Sequence, residues 1–228
     1  MREIVLDTET TGLDPLAGHR VVELGCVELI NMVATGKTFH AYFNPEMLMP
    51  AGAQDVHGLS DEFLADKPRF GERVEALLEF IGDAQLVIHN AQFDIGFLNA
   101  ELERVGRPGL TNAYIDTVSM ARKKFPGQRA SLDALCERFS IDNSTRTKHG
   151  ALLDSELLAE VYLELSGGRQ RDLGLAPELA ARVMAGMALA AGATIRPARP
   201  HAPSPAELAA HLAFLGQLSN PLWLQTEG

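Results

Sequence analysis

A chain of 228 residues, 46% of them hydrophobic, holds one domain with a sizeable core plus an appendage. Its two cysteines, Cys26 and Cys136, each sit in an apolar segment, which argues against a disulfide framework and for buried free thiols in a reducing compartment. The net charge of −10 argues against a strong sequence-independent grip on nucleic-acid phosphates; no Cys/His cluster has zinc spacing, the apolar runs fall well short of a membrane span, and the start Met1-Arg2-Glu3 resembles no leader, so a cytoplasmic protein is expected.

The first predicted element is a strand over residues 3–7, where Ile4, Val5 and Leu6 lead into Asp7 and Glu9. Residues two apart on a strand point to one face, so both carboxylates can project from one strand end. Strands are also expected over 21–30 and 37–43; with no helical stretch among the three, they fit an antiparallel meander. A helical pattern follows at 72–81. The buried-strand run 86–89 then turns into a helix over 91–105 that carries Asp94 in its first turn. A strand near 114–116 and helices at 131–139 and 150–165 complete the α/β pattern, with Ser131 as an N-cap. Five residues of helix turn through about 500°. His149 and Asp154 therefore converge only if His149 stays in the loop before the last of these helices.

The basic cluster Arg122, Lys123, Lys124 and Arg129 reads either as a phosphate contact or as a solvated helix end. Ser166-Gly167-Gly168 marks a domain boundary, so three regions are expected, at 1–168, 169–203 and 204–228. Residues 176–195 are Ala- and Met-rich, and the Pro-containing run 196–203 should be extended and flexible. A last short helix is then predicted, with Ser204 as N-cap, Pro205 at its first position and Glu207 completing a capping box. Its Leu208, Leu212, Leu215 and Leu218, flanked by Phe214, form an apolar stripe on a tether, which suggests a partner groove.

Asp7, Glu9, Asp94 and Asp154 offer hard oxygen ligands of the kind that suit Mg²⁺ or Mn²⁺, and a neutral His149 can take a proton from water without being a ligand. The three segments read Asp-x-Glu at 7–9, His-Asn-Ala-x-Phe-Asp at 89–94 and His-x-Ala-x-x-Asp at 149–154. In that order they resemble the DEDDh family of 3′–5′ exonucleases, closely over residues 1–168, and within it the members that proofread for bacterial replicative polymerases. The resemblance implies a ribonuclease-H-like mixed sheet flanked by helices, and hydrolysis of mispaired 3′-terminal nucleotides to nucleoside 5′-monophosphates. It also implies two divalent cations held by Asp7, Glu9, Asp94 and Asp154, and His149 as general base.

Secondary contacts are expected from the same likeness. His57 lies in Val56-His57-Gly58-Leu59, which looks like a family segment that touches the terminal nucleotide, although the Glu often found five residues earlier is here Gly52. Thr10, Thr11 and Gly12 are read as substrate contacts or as a plain strand-to-loop turn. Phe93 can stack on a base or belong to the core. Gln170, Leu173 and Leu175 resemble a short sliding-clamp-binding peptide, and residues 204–228 are expected to bind the polymerase subunit, with a small third subunit as a further candidate partner. A DEDDh ribonuclease and a non-catalytic adaptor are the alternatives.

Overall fold

Ile4, Val5, Leu6, Leu86, Val87 and Ile88 are completely buried, and they mark the middle of a five-stranded sheet. The computed structural model describes residues 1–168 except Thr145 and Thr147, and residues 202–218. The strands are β1 (Arg2–Thr10), β2 (Val21–Ile30), β3 (Val33–Tyr42), β4 (Gln85–Ile88) and β5 (Tyr114–Asp116), in the order β3-β2-β1-β4-β5. The first three form the expected antiparallel meander, while β4 runs parallel to β1 and β5 parallel to β4.

Strand alternation divides the interior in two. Ile4 and Leu6 of β1, Leu24 and Cys26 of β2, and Leu86 and Ile88 of β4 pack on one face against α3 (Phe70–Ile81) and α4 (Ala91–Arg104). Val5, Val27, Leu29 and Val87 pack on the other against α5 (Thr117–Lys124), α6 (Leu132–Phe139) and α7 (Ala151–Leu165). Burying both faces requires the near-continuous apolar runs that β1, β2 and β4 carry.

Two expected strand boundaries shift. β1 reaches Thr10 because Glu9 and Thr10 still pair with Glu23 and Val21 of β2. β3 starts at Val33, since 33–36 continue the hairpin as an exposed edge without apolar alternation. α5, together with α1 (Ala51–His57) and α2 (Asp61–Leu64), was not expected; each is short and buries at most two residues, so it presents little apolar period to read. Arg122, Lys123 and Lys124 fall in the last turn of α5, and Lys124 Nζ donates to the carbonyls of Glu164 and Leu165 at 3.0 and 2.9 Å, which favours the helix-end reading.

Cys26 and Cys136 are buried free thiols, and burial pushes the Cys136 thiol up to about 11. The chain divides into two units, Met1–Gly174 and Leu175–Gly228. In the second, α8 (Pro205–Leu215) shows the expected capping box: Ser204 Oγ accepts from Glu207 N–H and Glu207 Oε2 from Ser204 N–H. Leu208, Leu212 and Phe214 of α8 are exposed while Leu215 is buried. The clamp-like peptide Gln170, Leu173 and Leu175 lies outside the described residues. Among the described residues no helix is long and apolar enough to cross a membrane.

Candidate active site

The parallel pairing of β1 and β4, with Leu6 opposite Ile88, brings the carboxyl ends of two strands to one edge of the sheet. That is where open α/β sheets place their ligands. Asp7 and Glu9 leave β1 toward the α7 face, as the two-residue spacing requires. Asp94, in the first turn of α4, comes from the opposite face and is held by Thr8, whose hydroxyl donates to Asp94 Oδ1 at 2.7 Å in a buried contact. The third motif arrives on α7, with Asp154 in its first turn and His149 in the preceding loop, as expected.

Close approach of α7 depends on Gly25, which pairs with Asp7 across β1 and β2. A side-chain carbon there would sit 2.3 Å from the carbonyl carbon of Ala151, so only glycine admits the helix start. Ser155 Oγ then donates to the Gly25 carbonyl at 3.0 Å. On the other side, Asp116 at the end of β5 accepts from the backbone N–H groups of Asn90 and Val118 and fastens the turn that leads to Asp94. Asn90 adopts φ 69° there, a left-handed conformation that Asn tolerates better than most residues.

The resulting electrostatics are uneven. Burial, then the charges of Asp94, Glu9 and Asp154, hold the Asp7 carboxyl well above its ordinary range. Burial and then Asp154 and Glu23 push Glu9 up to about 8, and burial raises Asp94 to about 7. Asp154 goes the other way. Burial opposes its ionisation, but the contacts of His149 and Arg146 outweigh that and keep its carboxyl below the usual value. Arg146 makes a fork, Nε to Oδ1 at 2.5 Å and Nη2 to Oδ2 at 2.7 Å.

Glu9, His149 and Asp154 each present a ligand atom within 4.8 Å of the other two. Four crowded carboxylates, three of them held above their ordinary range, make a hard-oxygen donor set that fits divalent cations. Asp7, Glu9, Asp94, His149 and Asp154 thus meet in one place.

His57 is 6% exposed and ends α1. Its Nδ1 accepts from Leu59 N–H at 3.0 Å, so the neutral ring carries its proton on Nε2, a buried atom without a hydrogen-bond partner among the described residues. Burial pushes its pKa down, which keeps the ring neutral. The backbone N–H of His149 donates to Val56 at 3.3 Å, so the two histidine segments are fastened together.

The other expected contacts have structural partners of their own. Thr11 is completely buried: its backbone N–H donates to Arg20, and its hydroxyl accepts from Arg20 N–H and meets His19 Nδ1 at 3.1 Å. Thr10 donates its hydroxyl to the Gly12 carbonyl at 2.6 Å, and a side chain at Gly12 would strike the His19 ring. The segment is a turn held by its own side chains. Phe93 is half-buried and packs on Phe97 at the edge of the core, with ring centroids 4.9 Å apart. Sequence reading missed Thr8, Gly25, Asp116 and Arg146; only Arg146, a cation three residues before His149 in an acidic domain, carried any signal.

A family model described as Exonuclease matches residues 4–162. The chain is 58% identical over 175 residues to DNA polymerase III subunit epsilon of Rickettsia felis, covering 75% of this chain and 76% of that one. It is 43% identical over 235 residues to the subunit of the same name from Pasteurella multocida, covering 97% and 93%. Among solved structures, the nuclease domain of 3′hExo, a DEDDh family member bound to rAMP, superposes with a TM-score of 0.63 at 19% identity over 75% of this chain and 94% of that one. That likeness shows the fold alone.

Proposed function

The chain belongs to the DNA polymerase III epsilon subunits, an exonuclease family, and from that membership we propose how its residues divide the work. It is a metal-dependent 3′–5′ exonuclease that proofreads for the replicative polymerase. Asp7, Glu9, Asp94 and Asp154 would hold the cations, Mg²⁺ or Mn²⁺. The observation that carries this reading is the convergence of four carboxylates at one sheet edge, Asp7, Glu9 and Asp94 of them held above their ordinary range. Bound divalent cations supply a lowered pKa for the attacking water and charge neutralisation at the leaving 3′-oxygen.

The chain's own groups do the rest. His149 stands half-exposed at the rim of the carboxylates and serves as general base, taking the proton of the attacking water. Thr8 holds Asp94 in register. His57 offers its unpartnered Nε2–H to the terminal nucleotide, and no carboxylate at Gly52 shares that task. Nucleoside 5′-monophosphates leave, and the work is done in the cytoplasm. Gln170, Leu173 and Leu175 would dock on a sliding clamp, residues 204–228 on the polymerase subunit, and a small third subunit would complete the assembly.

Asp7→Ala and Asp154→Ala should abolish hydrolysis of a mismatched primer end while the melting curve stays cooperative, because each removes a cation ligand and none of the core. Substantial magnesium-dependent activity in either variant would sink the assignment. Single-stranded RNA as a second substrate separates proofreading from RNA trimming, and a wild type inert on both would instead indicate an adaptor.

A further inference from the structure

Just before the third motif stands one residue that the exonuclease reading leaves without a task. Arg146 precedes His149 by three residues, and its guanidinium side chain is almost wholly buried, with 7% exposure. It makes four polar contacts. Two form the fork on Asp154, one from Nη1 reaches Asp133 Oδ1 of α6 at 2.7 Å, and one from Nη2 reaches His149 Nδ1 at 2.7 Å.

The last contact bears on the imidazole. A guanidinium only donates, so Nδ1 must accept with its lone pair and the ring proton sits on Nε2. His149 Nδ1 also lies 3.3 Å from Asp154 Oδ2, but a proton on Nδ1 would face the Arg146 donor at the shorter distance. In this arrangement the lone pair that a general base needs is occupied. The fork likewise occupies both oxygens of Asp154, and a cation approaching that carboxylate meets a positive charge 2.5 to 2.7 Å from it.

We propose that Arg146 is a displaceable latch: its guanidinium competes with a divalent cation for Asp154 and at the same time masks the base nitrogen of His149. This rests on Asp154 as a cation ligand and His149 as the base. Arg146 is thereby a positioning residue, holding both groups in register until a cation arrives. With a cation bound, Arg146 would leave Asp154 and unmask His149 in the same movement. Asp133 keeps the side chain tied to α6. One event would arm ligand and base together.

The test is calorimetric titration of Mn²⁺ into the full chain, paired with thermal melting in EDTA, for wild type, Arg146→Gln, Arg146→Lys and Asp154→Asn. The Gln variant should melt lower in EDTA, because Asp154 loses its compensating charge, yet bind Mn²⁺ about tenfold more tightly, the worth of one charge-assisted hydrogen bond removed as competitor. A residue that merely supports the site would lose stability and affinity together. Folded Arg146→Gln with unchanged or weaker Mn²⁺ binding therefore overturns the latch. The Lys variant keeps the charge without the fork and should fall between the two; affinity equal to wild type would reduce the effect to net charge and also overturn it. Asp154→Asn should lose Mn²⁺ binding. If it binds as wild type does, the cation assignment itself has failed and the latch falls with it, a result distinguishable from the Arg146 outcomes.

Discussion

Asp154 and Glu9 are both buried carboxylates in one site, yet they are driven in opposite directions, and the partner decides which way. Arg146 compensates Asp154, whereas Glu9, near 8, and Asp94, near 7, keep protons that free carboxylates would release. A group raised in the folded state contributes stability that is fully present below its unfolded value, here about 4, and lost as pH rises through its folded value. With cations chelated, the folded chain binds more protons than the unfolded one up to about pH 8, so its stability should fall as pH rises. His57 and His89, pushed down by burial, act in the opposite sense below about 6.5, so the fall should be steepest between about 6.5 and 8. Melting temperatures in EDTA across pH 5 to 8.5 read this directly, and a curve flat or rising from 6.5 to 8 would contradict it. Thr8→Val is the matching substitution at Asp94. It removes the donor at 2.7 Å and should weaken Mn²⁺ binding by roughly tenfold, since hydrogen bonds to charged groups are worth about 1.5–3 kcal/mol; wild-type affinity in the valine variant would show the contact to be incidental.

Elements differ in how plainly they announced themselves. Strands β1, β2 and β4 read from unbroken apolar runs, and α3, α6 and α7 from apolar residues at helical spacing. Short α1, α2 and α5 did not, because their formation depends on the neighbours they close against. The approach of α7 to the sheet is the element-scale contact on which the site turns. Gly25→Ala should drive the first turn of α7, and Asp154 with it, away from Asp7. Overpacking of this kind typically costs about 1–3 kcal/mol, and Mn²⁺ affinity should drop with stability. Gly52→Ala, where an added carbon meets nothing within 4 Å, is the control and should leave both unchanged. Wild-type behaviour of Gly25→Ala would mean that α7 yields without moving the site.

Charge and tether belong to the whole molecule. Residues 169–228 hold 5 Lys and Arg and 4 Asp and Glu, which leaves 15 and 26 in residues 1–168, a net charge of −11 in the catalytic part. Such a surface repels DNA phosphates, so encounter by free diffusion should be slow, and the proposed attachment to a polymerase would replace it with a high effective concentration. Deleting 204–228 should spare hydrolysis of short single strands and remove stimulation by the polymerase subunit. Replacing Gln170, Leu173 and Leu175 by Ala should weaken clamp association alone. Co-elution of the 204–228 deletion with the polymerase subunit would place the attachment elsewhere.

The sequence by itself determined the five motif residues, the strand that carries the first pair, the loop position of His149 and the capped start of α8, because each follows from local spacing and chain chemistry. It left open whether Thr10 to Gly12 and Phe93 serve substrate or structure. Only the tertiary structure decided that Thr11 is enclosed, that Phe93 packs on Phe97, that Gly25 admits α7, and that Arg146 engages Asp154 and His149 together. These depend on which groups meet across elements distant in the chain, and on how much water their meeting excludes. A carboxylate's chemistry is set by that exclusion and by its partner, and neither is written in the residues beside it.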